Sequence, residues 1–546
     1  MSLTFFYETK RNIYLGLTRF NYFPNQRSGV SEIPPCITSR HFTPEICEAI
    51  AGLAETGKRK GNGYDVVEYK ATRYNNVPRI LSLIHPKAYA LLAKHLHDNW
   101  DEFGFVSEGD HSIVKPRPHE DGRIIVMNYE DPFAKNSRIN QISFGKKVLV
   151  QTDIANCFNS IYSHAVEWAL IGFEEAKKRN KGTFSSDLDL YLRKTKRSET
   201  QGIAIGPASS SIVAEIILSK IDDALIEKNF CFNRYVDDYT CYCETTEEAD
   251  DFLLELGQQL ASYKLTLNIE KTKIIELPAS TQDSWIIDLL GALPSRLSMG
   301  STDEPKLTTA EVLTFINRAI DLVKTTPDGS VLKYALSIII GQYDDRANIQ
   351  VFELIMNLSW HYPILIPYLA SFNPDDIEQV SDFEEKLSSI IIKNAKLKRS
   401  DGMAWPLHIF REHGIKPSPE VAQAVIKSRD CVSMVILNTL LEDQAVIVAF
   451  AKELLSQSLY EKDSYWLLLY QLYREKKIDN PYKEDQSEKK VFEILRDNQV
   501  NFIPQDNKET EAEVKCDEIS IAPMVESFLG TEKEDGCDML GFTDSQ

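Results

Sequence analysis

Tyr235-Val236-Asp237-Asp238 lies between two short apolar runs, Cys231-Phe232-Asn233-Arg234 before it and Tyr239-Thr240-Cys241-Tyr242-Cys243 after it. This pattern predicts two strands that meet at a tight turn with adjacent carboxylates at its tip. Aspartate is also common in hairpin turns, so the string alone leaves a catalytic and a plain turn reading open. A second strand-like run, Val148-Leu149-Val150-Gln151-Thr152, ends at Asp153 and can deliver a third carboxylate to the same sheet edge. Ligands that are all oxygen suit Mg²⁺ or Mn²⁺. The chemistry that needs such a cluster is two-metal phosphoryl transfer, in which one ion activates an attacking oxygen and the other steadies the departing pyrophosphate.

Further segments stand in a fixed order around this turn. Asp153-Ile154-Ala155-Asn156-Cys157-Phe158 is followed by Asn159-Ser160-Ile161-Tyr162, then by Gln201-Gly202-Ile203-Ala204-Ile205-Gly206-Pro207, then by the Tyr-Val-Asp-Asp string and Leu267-Asn268-Ile269-Glu270-Lys271-Thr272. The series resembles reverse transcriptase motifs A, B, C and D in their usual order. Lys115-Pro116-Arg117 and Gly122-Arg123-Ile124-Ile125 look like the two strands of a fingers hairpin turning at His119-Glu120-Asp121-Gly122. The wording after motif A and in motif B is similar to the bacterial phage-defence enzymes of the abortive-infection (AbiK-like) type and their defence-associated relatives. Tyr22-Phe23-Pro24 and Ile33-Pro34-Pro35 share that likeness. It is strong over residues 110 to 280 and weaker before them, and beyond about residue 300 it rests on architecture.

The resemblance implies roles. Asp153 and Asp237, with the Ile154 backbone carbonyl, are the expected ligands of two Mg²⁺ (or Mn²⁺) ions per active site, and Asp238 supports them. Phe158 falls where reverse transcriptases place an aromatic gate that collides with a ribose 2′-hydroxyl and so favours dNTPs; a core phenylalanine is the alternative. Gln201 and Gly202 are expected to cradle template base or incoming nucleotide, because a residue with no side chain admits close backbone approach; an ordinary loop before a helix is the alternative. Pro207 is placed in that helix's first turn. Tyr235 joins the nucleotide-binding set. Lys271 is a candidate proton donor or charge partner for pyrophosphate, or else a surface lysine. Arg123 and Lys115 are candidates to grip the triphosphate.

Composition bounds the rest. A chain of 546 residues suggests two or more domains. No apolar run approaches a membrane span of roughly 18 residues, and the opening residues lack the pattern of a secretory signal. Nine cysteines without paired spacing point to a reducing cytosol, which the resemblance implies is bacterial. Cys241 and Cys243 fall on one strand face with no second pair at metal spacing, so core packing accounts for them. The net charge of −20 is unevenly spread: residues 506–546 hold twelve acids against three bases and read as a disordered tail. Lys177-Lys178-Arg179-Asn180-Lys181 and Arg193-Lys194-Thr195-Lys196-Arg197 concentrate positive charge, as a phosphate-tracking groove or a solvated helix face.

The fold class expected is α+β: reverse-transcriptase-like fingers and palm over residues 1–300, an all-α HEAT-like domain over 301–503, and an acidic tail over 504–546. Thr43-Pro44-Glu45 is a helix start, and Thr245-Thr246-Glu247-Glu248 a capping box after the carboxylate turn. From about residue 307 the apolar positions recur at helical spacing, as in Val312, Phe315, Ile316, Ala319, Ile320 and Val323. Asp328-Gly329-Ser330, Pro374-Asp375-Asp376 and Pro417-Ser418-Pro419 punctuate helix pairs. A HEAT-like array is the first reading and an irregular bundle the second.

By resemblance, the implied activity is antiphage DNA polymerisation from dNTPs, protein-primed and untemplated, with a single-stranded DNA product attached to the protein, in a homo-oligomer. Two alternatives stay open: RNA-templated synthesis on a bound noncoding RNA, and an inert scaffold whose helical array binds a partner. Three mutually repelling carboxylates argue against the scaffold. A group II intron or retron enzyme predicts a basic thumb or nuclease motif, which the chain lacks.

Overall fold

The strand signals in the middle of the chain form one antiparallel sheet, seen in a computed structural model that describes residues 10–24, 30–56, 59, 61–73, 75–126, 132–178, 181–280, 282–294, 306–326, 330–372 and 382–504. The elements that position the site are α1 (Pro44–Ala51), β1 (Val66–Thr72), β2 (Pro78–Ile84), α2 (Pro86–Asp98), β3 (Val148–Asp153), α3 (Phe184–Lys194), α4 (Ala208–Glu227), β4 (Phe232–Tyr235), β5 (Asp238–Cys243), α5 (Thr246–Ser262) and β6 (Lys273–Glu276). Strands β4, β5, β3 and β6 lie side by side in that order, so β3 and β5, the strands that carry the motif carboxylates, are its centre. Val148, Leu149 and Val150 are all buried in sequence, the signature of a strand covered on both faces. Helix α5 covers one face with Ala249, Phe252, Leu256 and Leu260, buried at three- and four-residue intervals. Cys241 and Cys243 are buried beneath it with their sulfurs 3.7 Å apart, as core residues.

The local helix and turn signals are realised unevenly. Thr245 accepts a bond from the Glu248 N–H at 3.1 Å, but the Glu248 carboxylate reaches back to Glu244 N–H rather than to Thr245, so the box is half formed. Thr43 precedes α1 with proline at the first helical position, yet its side chain makes no cap bond; it bonds instead to the Glu45 carboxylate, which holds Glu45 below its ordinary pKa. Pro207 stands one residue before α4 instead of inside its first turn. The hairpin expected at residues 115–125 closes through Arg117 N–H to Ile124 O and His119 N–H to Arg123 O, both 2.9 Å, without forming strands. Pro116 and Pro118 have no N–H to extend the ladder. A regular hairpin instead joins β1 and β2, in register from Val66↔Ile84 to Thr72↔Pro78.

After residue 306 the described chain contains no strand and continues as α6 (Thr309–Thr325), α7 (Val331–Ile339), α8 (Asn348–His361), α9 (Phe383–Leu397), α10 (Asp401–Glu412), α11 (Pro419–Ser428), α12 (Cys431–Leu440), α13 (Ala445–Leu455), α14 (Trp466–Arg474) and α15 (Gln486–Asp497). Val312, Phe315, Ile316 and Ala319 are buried, with Leu322 completing the stripe, while Ile320 and Val323 are half-buried. Ser418 caps α11 by accepting from Val421 N–H. Asp328, Gly329, Pro374, Asp375, Asp376, the boundary at residue 300 and the tail from 505 lie outside the described residues.

The helices grip the β1–β2 hairpin. Ser400 N–H donates to Lys70 O at 3.0 Å, Asp401 accepts from Thr72 N–H at 2.7 Å, and Trp466 Nε1 donates to Leu83 O at 3.1 Å. Arg59 pairs with Asp463, and Tyr64 donates to Glu488 at 2.6 Å, all four side chains being buried. On its other edge the hairpin donates from Ser82 N–H to Ile205 O at 2.9 Å.

Candidate active site

The register of the sheet brings the motif carboxylates together. Tyr235 pairs with Asp238 across β4 and β5, leaving Val236 and Asp237 as a two-residue turn, and Asp153 at the end of β3 pairs with Asp238. Ile154 N–H donates to Asp237 O at 3.2 Å. Leu267 lies on the other side of Ile154, where Ala155 N–H bonds Thr266 O and Asn268 N–H bonds Asp153 O. In an extended residue the N–H and C=O point to one side, so the Ile154 carbonyl faces the Asp237 edge.

The electrostatics are those of partly buried carboxylates that feel one another's charge. Burial, with Asp153 nearby, raises the Asp237 pKa. Asp238 is the most open of the three, yet partial desolvation and its two neighbours push it up to about 6. Asp153 is buried, and its Oδ1 has no hydrogen-bond partner. Its Oδ2 accepts from Lys271 Nζ at 2.5 Å, and that contact raises the Lys271 pKa. A lone buried carboxylate oxygen beside two further carboxylates, with oxygen as the donor throughout, fits a hard divalent cation. Among the described residues, the trio of potential ligands whose donor atoms all lie within 4.8 Å is elsewhere, at Glu48, His97 and Asp98. There Lys94, 2.8 Å from both carboxylates, already supplies the positive charge.

One buried cluster behind the turn went unread in the sequence. Arg234 forks onto Glu215 at 2.7 and 3.0 Å and onto Asp222 at 2.6 and 3.0 Å, and its Nη1 also donates to Val236 O at 2.9 Å. Tyr239 donates to Asp222 at 3.0 Å. Arg234 is the residue immediately before the Tyr-Val-Asp-Asp string, and Glu215 and Asp222 are seven apart on α4, two turns along one face. That spacing was the available signal.

The pattern of the family described as Reverse transcriptase (RNA-dependent DNA polymerase) matches residues 91–298. The chain carries a reverse transcriptase domain. No curated protein matches the chain. Among solved structures, apo telomerase from Candida tropicalis is similar at 11% identity and a TM-score of 0.31, over 80% of this chain and 77% of that one. Telomerase from Candida albicans in complex with a TWJ fragment of telomeric RNA is similar at 11% identity and a TM-score of 0.26, over 63% of this chain, which spans 66% of that one.

The remaining candidate residues of the reverse transcriptase domain differ in how they are placed. Phe158 follows Asp153 on a short helical turn, half-buried, and lines a small cleft with Val114, Pro116, Ile125 and Val236. Gln201 is exposed and donates to Ser160 O at 3.0 Å, tying motif B to motif A. Gly202 is needed for its φ of +77° and because an added Cβ would lie 3.0 Å from Asn159 O; the close approach the structure contains is to motif A backbone. Tyr235 is half-buried on β4. Lys115 donates to Gly109 O at 2.7 Å, and buried Arg123 is paired with Asp121, so both cations are engaged within the protein. Arg79 on β2, which sequence reading passed over, adds a positive charge that lowers the Asp237 pKa against the stronger effect of burial.

The basic runs are largely neutralised. Lys177 pairs with Glu174 and Lys178 with Glu175; Arg193 pairs with Asp189, Lys194 with Glu55 and Arg197 with Asp65. Arg179 and Asn180 lie outside the described residues. Lys196, by contrast, donates to a carbonyl, Gln201 O, at 3.3 Å. Among the described residues no helix is long and apolar enough to cross a membrane.

Proposed function

We propose that the chain is an antiphage-defence DNA polymerase of reverse-transcriptase type that extends DNA from dNTPs, primed by its own side chain and without a template. Nucleotidyl transfer is what a reverse transcriptase domain implies; the choice of dNTPs, the priming and the defence role are the reading added here. The observation that carries it is the pairing of Asp153 with Asp238 beside Asp237, with Phe158 on the turn that follows. Asp153, Asp237 and the Ile154 carbonyl would hold two Mg²⁺ ions, and Asp238 would add charge from the strand end. Bound Mg²⁺ supplies activation of the attacking hydroxyl and charge stabilisation of the departing pyrophosphate. Phe158 excludes a 2′-hydroxyl, and Gln201 with Tyr235 borders the nucleotide.

Lys271 carries the proton within reach of this chemistry, since its ammonium is already drawn to the carboxylates. The abortive-infection assignment, with its homo-oligomer, single-stranded product and bacterial cytoplasmic setting, is supported by the wording of motifs A and B and by a helical half in place of a basic thumb. The residue ranges proposed for these units are 1–300, 301–503 and 504–546.

The test is direct. Purified full-length chain is incubated with Mg²⁺ and each dNTP, with and without nuclease pretreatment, and products are run on denaturing gels before and after protease. DNA joined to protein after nuclease treatment is expected. A product that requires RNA would assign templated synthesis on a noncoding RNA instead. Failure to make product, matching Asp153→Asn, would leave the partner-binding scaffold.

A further inference from the structure

The peptide units on both sides of Asp237 are pinned, and by different parts of the chain. The following peptide is held by Ile154 N–H to Asp237 O at 3.2 Å, and the preceding one by Arg234 Nη1 to Val236 O at 2.9 Å. Val236 has a φ of +57°, a left-handed conformation that a β-branched residue avoids, and a two-residue hairpin turn with positive φ at its first position ordinarily takes glycine there. Such backbone persists only where its surroundings over-determine it.

Arg234 supplies that constraint. Its guanidinium is fully buried, and Glu215 and Asp222 saturate its outer edges from positions two turns apart on α4. A planar fork fixed on two carboxylates has one orientation left, and in that orientation Nη1 points at Val236 O. We infer that Arg234 is a positioning residue for catalysis: anchored to α4, it fixes the Val236–Asp237 peptide and thereby the direction from which the Asp237 carboxylate approaches the metals. The inference rests on the reading of Asp237 as a metal ligand. Lysine keeps the charge but cannot span Glu215, Asp222 and the carbonyl at once.

The experiment compares full-length wild type, Arg234→Lys and Tyr239→Phe by Mn²⁺ affinity from electron paramagnetic resonance, thermal midpoint, and Mg²⁺-dependent dNTP incorporation. Tyr239→Phe loosens the same buried cluster through Asp222 without touching the Val236 bond. Arg234→Lys is expected to bind Mn²⁺ about tenfold more weakly, the usual cost of losing a residue that orients a ligand, while Tyr239→Phe lowers the thermal midpoint and leaves Mn²⁺ affinity in place. Equal affinities in Arg234→Lys and wild type, or equal losses in both variants, would overturn the inference. If Arg234→Lys does not fold, Glu215→Gln loosens the fork that aims Nη1 at Val236 O, and unchanged Mn²⁺ affinity in it overturns the claim. A wild type that binds Mn²⁺ but incorporates no nucleotide defeats the polymerase reading and leaves the positioning claim to be decided by affinity. A wild type that binds no Mn²⁺ defeats both.

Discussion

Lys271 Nζ lies 2.5 Å from Asp153 Oδ2, so a cation from the chain itself occupies the neighbourhood where a divalent ion is expected. The lysine is 65% exposed, which limits the contact to about 1 kcal/mol or less. Lys271→Met is therefore expected to lower the Mg²⁺ concentration for half-maximal nucleotide incorporation by about two- to fivefold, in line with an exposed pair of that strength. Turnover at saturating Mg²⁺ should fall, because the proton source is gone. Mg²⁺ titrations of steady-state incorporation measure both changes.

The three aspartates should not be equivalent. Asp153→Asn and Asp237→Asn each remove a proposed metal ligand and are expected to lower turnover by about a thousandfold or more. Asp238→Asn should be milder, since Asp238 is the most open of the three and acts from the strand end. Parallel turnover measurements on folded variants check the ranking, and equal losses at all three positions would contradict it.

Phe158 gives a prediction about substrate choice. Phe158→Ala should raise the ratio of rNTP to dNTP incorporation by about tenfold to a hundredfold, the scale on which a pocket rejects a small substituent. Single-nucleotide incorporation with matched rNTP and dNTP pairs gives that ratio. An unchanged ratio would return Phe158 to the core.

Glu488 predicts a pH dependence of stability. It is buried against Tyr64 and His85, and burial raises its pKa to about 7 from 4.5, with Arg59 opposing. Below about pH 4.5 folded and unfolded chains both hold the proton; between 4.5 and 7 only the folded chain does, so stability is lost as pH rises through that window. Glu488→Gln removes this loss and can keep the Tyr64 bond. Its stability relative to wild type should improve by up to about 3 kcal/mol between pH 4.5 and 7, measured by denaturant unfolding.

The placement of Asp153 opposite Asp238, with Asp237 in the adjoining turn, was legible because it depends on strand pairing and a two-residue turn that the sequence pattern marks. The helical half was legible from periodicity alone. Pairings across long separations were not: Lys194 meets Glu55, Arg197 meets Asp65 and Arg59 meets Asp463, so runs that read as basic in one dimension are compensated in three. The Arg123 contact was hidden in another way, since its partner Asp121 is two residues away and was assigned only to the turn. The β1–β2 hairpin was missed because its own sequence is mixed, with Ile80 exposed and the facing contacts supplied by helices hundreds of residues later.

That hairpin is clasped from two directions, by Ile205 of motif B on one edge and by Lys70, Thr72 and Leu83 reaching Ser400, Asp401 and Trp466 on the other side. A chain cut after residue 306 would lose the latter grip and uncover Leu83 and Tyr69, which are fully buried. The polymerase half therefore should not survive as an excised fragment. Melting of the carboxyl-terminal helices is therefore expected to release the hairpin that buttresses motif B.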